Sequence, residues 1–315
     1  MFGLNLVLYF FAFVFIWFGS GLIVSSASKF STKLRLSPFA FSFVFLGILT
    51  STPEFSVGLA AVAGKHPEIF VGNLLGGIVV LFLVIIPLLA VLGNGINLKN
   101  ELGNRTLIAT LGVILAPSLF ILDKKVTTLE GAMLVGLYIA LLFLVERRNG
   151  IFDRKNDQLL NIKAYSYKDF LRMLLGIGIV FISSSIIVDK TTYFANIFNV
   201  SAFYISLFVI ALGTDLPEMS LAVRSVISGK REIAMGDYIG AASASTLMFG
   251  IFTLLHGGEI ITESNFIITF LFILAALSLF YIFFRTKNYI SRRNGLILLG
   301  IYIAFVIVEL TKTKI

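Results

Sequence analysis

The stretch LTSTPEF, Leu49–Phe55, decides how this chain is read. It lies within a long apolar run, yet it carries three hydroxyls, a proline and a carboxylate. Proline removes a backbone donor and obstructs the carbonyl four residues earlier, so the sequence predicts a helix broken around Pro53. The carbonyls near Leu49 and Thr50 are then freed to face a ligand, with Glu54 beside them. LGTDLPEM, Leu212–Met219, poses the same pattern again.

Laid on each other, the two stretches define an offset of 164 residues that holds without a gap from Gly19–Gly76 to Ser183–Gly240. Identities include Thr50/Thr214, Pro53/Pro217, Glu54/Glu218, Ser56/Ser220, Gly72/Gly236 and Gly76/Gly240. The chain is therefore expected to be a duplication.

Composition fixes the setting. Hydrophobic residues are 58% of the 315 and charged residues only 13%, which predicts an integral, multi-pass, all-α membrane protein. Ten stretches approach the roughly 20 residues needed to cross a hydrocarbon core. They lie near residues 4–25, 37–63, 69–93, 104–122, 127–146, 170–189, 201–227, 233–256, 265–285 and 294–311. The apolar N-terminus reads as the first span rather than as a leader peptide. The long polar segment 147–169 reads as a cytoplasmic linker between a first repeat, 1–146, and a second, 170–315.

The net charge of +8 is a topology signal rather than a nucleic-acid surface. In the ten-span layout nineteen Lys and Arg fall in loops on one side and six on the other, so the richer side is expected in the cytoplasm and both termini outside. Five spans per repeat is an odd number, so the second copy enters the membrane from the opposite side. Such inverted repeats bring two broken helices together near the midplane, as in secondary transporters. The absence of cysteine excludes disulfides and thiolate metal sites.

Glu54, Asp215, Glu218 and Asp237 fall inside spans. Each unpaired carboxylate in lipid costs at least about 2.5 kcal/mol on insertion scales, and a bound cation would offset them. Carboxylates, hydroxyls and carbonyls are hard oxygen ligands suited to calcium or sodium. The expected cation ligands are Glu54, Glu218, Thr50, Thr214, Ser51, Asp215, Asp237 and Asn73. Asp237 is placed in the site because a carboxylate has the stronger need of a partner, whereas Asn73 either faces the site or pairs across helices. The GxxxG spacings Gly72/Gly76 and Gly236/Gly240 read as close helix packing. His66 and His256 read as interfacial.

The paired T-x-x-P-E motifs, each followed by G-N/D-x-x-G, resemble the repeats of the calcium/cation antiporter superfamily, most of all prokaryotic sodium/calcium exchangers. The resemblance covers nearly the whole chain. It implies exchange of calcium against sodium or protons, no cofactor, and direct binding of the divalent ion by Glu54 and Glu218 with backbone oxygens of Thr50 and Thr214. Six positions depart from it: Gly77 and Ala241 stand where the family usually carries Ser, Ile78 and Ala242 where it carries the following Asn, and Leu81 and Ser245 where exchangers place Asn or Asp. Asp215 and Asp237 move the other way, towards carboxylate. The expected partners are inorganic cations and the lipid bilayer, with no protein partner evident. Three alternatives stand beside this reading: antiport of a different cation, a transport-inactive relative, and an intramembrane aspartyl protease built on Asp215 and Asp237.

Overall fold

The computed structural model describes residues 2–31, 43–44, 47–97, 103–149, 167–219, 231–262, 264–287 and 289–312. The fold is almost entirely helical. Apolar runs too long for a soluble core helix give α1 (Phe2–Ser31), α4 (Pro67–Leu92), α6 (Thr128–Asn149), α7 (Tyr167–Phe198), α9 (Arg231–His256), α10 (Ile267–Lys287) and α11 (Arg292–Lys312). Among the described residues these seven are long and apolar enough to cross a membrane. Shorter apolar helices fill the remaining layers: α2 (Gly47–Thr50), α3 (Thr52–Ala63), α5 (Asn104–Phe120) and α8 (Ala202–Thr214).

Two of the ten expected segments are interrupted helices. Segment 37–63 divides into α2 and α3 at Ser51, which leaves helical geometry at φ −76°, ψ 13°. Segment 201–227 divides at Asp215, between α8 and the helical residues 216–219. Pro53 and Pro217 follow each break by two residues, where a missing N–H is tolerated in the first helical turn. Residues 32–42, 45–46 and 220–230 of these segments, and 150–166 of the expected linker, lie outside the described residues.

Two boundaries differ from expectation. Helix α1 continues past residue 25 to Ser31. Helix α7 continues past residue 189 to Phe198, because its last turns keep packing on α1. There Phe194 is buried against Phe2 and Tyr9, and the Tyr9 hydroxyl pairs with Thr191 Oγ1 at 2.9 Å.

The core sits around α4 and α9, which are buried along most of their length, whereas α1, α6, α10 and α11 turn large apolar side chains outward. Small residues let backbones meet. A Cβ on Gly72 would strike the Phe203 carbonyl of α8, and one on Gly76 the Leu207 carbonyl. A Cβ on Gly240 of α9 would strike the Phe43 backbone, and one on Gly47 of α2 the backbone of Gly240 and Ala241. The packing role expected of Gly72, Gly76 and Gly240 is thereby met. A π-helical turn widens α4 at Leu81–Ile85 and α8 at Ser206–Ile210.

Four two-residue strands tie the loops in antiparallel pairs. β1 (Ile96–Asn97) pairs with β4 (Tyr289–Ile290), and β2 (Lys125–Val126) with β3 (Ile260–Ile261). Lys125 Nζ meets Glu259 Oε2 at 2.8 Å beside the second pair. That hydrogen-bonded carboxylate raises the exposed Lys125 ammonium above the ordinary lysine pKa.

Candidate cation site

The two helix breaks meet. Glu54, in the first turn of α3, lies with Asp215, in the break after α8, and with Glu218, one turn further on. One carboxylate oxygen from each lies within 4.8 Å of the others. All three are buried, none more than 4% exposed. Both oxygens of Glu54, Oδ2 of Asp215 and Oε2 of Glu218 have no hydrogen-bond partner, and no lysine or arginine is buried among the described residues. Buried charge persists only when paired or metal-bound, so this cluster has the donor set of a hard-cation site.

Around it the helices exchange hydrogen bonds in a matched pair. Thr50, the last residue of α2, donates to Asp237 Oδ1 of α9 at 3.0 Å. Thr214, the last residue of α8, donates to Asn73 Oδ1 of α4 at 3.0 Å. Thr50 and Thr214 are 164 residues apart, and so are Asn73 and Asp237. Asn73 Nδ2 and Asp237 Oδ2 are left buried and unpartnered. Asn73, whose role the sequence leaves open, thus pairs across helices with a residue of the site.

The expected ligands are not used alike. Glu54, Asp215 and Glu218 form the carboxylate cluster, while Asp237 lies outside that group and is held by Thr50. Ser51 donates to the Gly47 carbonyl of its own turn at 2.6 Å. The Leu49 carbonyl, freed by Pro53 from its usual donor, accepts the Thr52 hydroxyl at 2.7 Å. A hydroxyl one residue before the proline thus supplies a donor to one of the two lone pairs of this oxygen.

The sequence marked Gly77 only as a departure from the family pattern and did not place it at the site. A Cβ built there would lie 3.6 and 3.8 Å from the two carboxylate oxygens of Asp215, in ordinary van der Waals contact with them. Nor did it point to Phe13 of α1, whose ring covers Gly213 just before the second break. A glycine beside a carboxylate 138 residues further along the chain leaves no local signal in sequence.

The sequence pattern described as "Sodium/calcium exchanger protein" matches residues 4–145 and 168–311. The chain is 25% identical over 314 residues to the putative antiporter CaxA of Alkalimonas amylolytica, covering 93% of this chain and 97% of that one. Its fold is similar to that of the sodium-calcium exchanger NCX_Mj, with a TM-score of 0.70 at 21% identity over 97% of this chain and 99% of the other. It is also similar to the H+/Ca2+ exchanger CAX, with a TM-score of 0.78 at 16% identity over 96% and 82% of the two chains. The aspartyl-protease alternative falls away, because Asp215 is grouped with two glutamates rather than with Asp237 and the matched proteins are ion exchangers. With both halves of the chain matched and paired acidic helix breaks at its centre, this protein belongs to the sodium/calcium exchanger family.

Proposed function

We propose that the protein is a secondary active cation antiporter that exchanges calcium for sodium or protons by alternating access. The observation that carries this reading is the cluster of Glu54, Asp215 and Glu218, buried between two broken helices with unpartnered oxygens and, among the described residues, no buried lysine or arginine. Glu54 and Glu218 serve as central ligands and Asp215 as the third carboxylate. Asp237, Asn73, Thr50, Thr214 and Ser51 complete the surroundings, the threonines fixing the rims of the breaks. The cation is cargo, and no cofactor takes part.

Coupling follows from charge. Three ionised carboxylates in a low-dielectric interior are costly to carry across the membrane, whereas the same site neutralised by calcium, sodium or protons can change its exposure. Ions competing for one set of oxygens are then moved in turn, in opposite directions.

The architecture proposed is ten transmembrane helices in two inverted five-helix repeats, 1–146 and 170–315, joined by a cytoplasmic linker at 147–169. Several observations support it. Pro67–Leu92 and Arg231–His256 coincide at the 164-residue offset, as do the helix breaks at Ser51 and Asp215. Strands β1 and β3 stand at that offset, and so do β2 and β4. The pairing β1·β4 and β2·β3 exchanges into itself when the repeats are swapped, as a two-fold relation requires. Gly72 and Gly76 of α4 pack on α8 as Gly240 of α9 packs on Phe43 and Gly47.

The test is calcium-45 uptake into proteoliposomes under an outward sodium gradient, an outward proton gradient, or neither. Uptake driven by one gradient and abolished by Glu54→Gln or Glu218→Gln, with normal membrane insertion of both variants, is the expected result and names the counter-ion. Full exchange in either variant would remove the carboxylates from the site.

A further inference from the structure

We infer that Asp215, standing against the bare backbone of Gly77, is the residue that makes this site prefer divalent over monovalent cations. The inference rests on the cation-antiporter reading and names what sets its selectivity.

Glu54 and Glu218 occupy equivalent places, one in each repeat, but Asp215 has no acidic counterpart. Its mate at the 164-residue offset is Ser51, whose hydroxyl is spent on the Gly47 carbonyl of its own turn. Asp215 instead reaches away from its helix break, placing an oxygen with those of Glu54 and Glu218 and keeping Oδ2 buried and unpartnered. It reaches α4 at Gly77, where both carboxylate oxygens lie in ordinary van der Waals range of a Cβ position that is empty. A serine there would bring its own oxygen into that volume. Glycine at 77 and a carboxylate at 215 are therefore one arrangement, in which a charged ligand from the second repeat occupies space over a side-chain-free stretch of the first.

The consequence is electrostatic. Each carboxylate attracts a divalent ion twice as strongly as a monovalent ion at the same distance, so a third one shifts the balance towards the divalent ion. Calcium also accepts the crowding, since it takes six to eight oxygens in flexible geometry. Replacing the carboxylate by an amide of the same shape keeps an oxygen ligand and removes only the charge.

The experiment is equilibrium calcium-45 binding to the purified full-length protein in detergent, with sodium as competitor, for the wild type, Asp215→Asn and Gly77→Ser. In Asp215→Asn the calcium Kd is expected to rise so much more than the sodium inhibition constant that their ratio shifts by roughly tenfold or more. Gly77→Ser, which keeps every charge and adds a hydroxyl beside the carboxylate that competes with the ion for its oxygens, is expected to shift the ratio in the same direction by less. It also carries the test if Asp215→Asn fails to elute as a single folded species. Equal shifts in both constants, or no shift in a folded variant, would overturn the role of Asp215 while leaving calcium binding intact. A wild type that binds no calcium, by contrast, would overturn the calcium reading itself and the selectivity role with it.

Discussion

At the scale of single residues, the two threonines at the breaks differ in what they hold. Thr50 donates to a carboxylate, Asp237, and Thr214 to an amide, Asn73, at the same 3.0 Å. A hydrogen bond to a charged group contributes about 1.5–3 kcal/mol and one between neutral groups about 0.5–1.5 kcal/mol. Thr50→Val is therefore expected to lower the thermal midpoint of the calcium-free protein in detergent more than Thr214→Val does. Equal losses would mean that the Asp237 bond carries no charge assistance. The difference is invisible to helix propensity, because both threonines occupy the same place in the same motif.

At the scale of elements, small residues and short strands decide how the helices are held. Gly240 lies so close to the Phe43 backbone that any side chain would force the two segments apart. Gly240→Val is expected to abolish a monodisperse species in detergent, whereas Gly112→Val, at a position with open space around it, is expected to leave the species unchanged. The strand pairs can be tested more directly. Val126 and Ile260 face each other across β2 and β3, at a spacing suited to a disulfide, and the chain has no native cysteine to interfere. The double variant Val126→Cys/Ile260→Cys is expected to cross-link under mild oxidation and to keep its exchange activity, because the strap joins elements that stay together. Activity lost on oxidation and regained on reduction would mean that the strap opens during transport.

At the scale of the whole molecule, orientation follows from charge and from parity. In the proposed ten-span layout the basic residues gather in alternate loops, and its even number of spans would put both termini on one side of the membrane. A single cysteine at Lys155, in the linker, is expected to react with an impermeant maleimide only from the cytoplasmic face, and one at Thr313 only from the opposite face. Labelling of both from one face would require an even number of spans between them and would remove the inverted layout.

The sequence by itself determined the membrane setting, the breaks at the two proline motifs and the identity of the acidic residues. Each of these is written locally: in runs of apolar residues, in a missing backbone donor at Pro53 and Pro217, and in carboxylates where lipid-buried sequence rarely carries them. The internal offset was legible too, since it needs only a comparison of the chain with itself. Tertiary structure alone decided which oxygens share one point, because Glu54 and Glu218 are 164 residues apart and meet only when two breaks pack together. It decided that the Thr52 hydroxyl bonds the Leu49 carbonyl and that Asn73 holds Thr214. It also placed Asp215 over Gly77, a fit between an empty Cβ position and a distant carboxylate that depends on how two helices approach. Such approach is fixed by the packing of whole surfaces, and no single stretch of the chain encodes it.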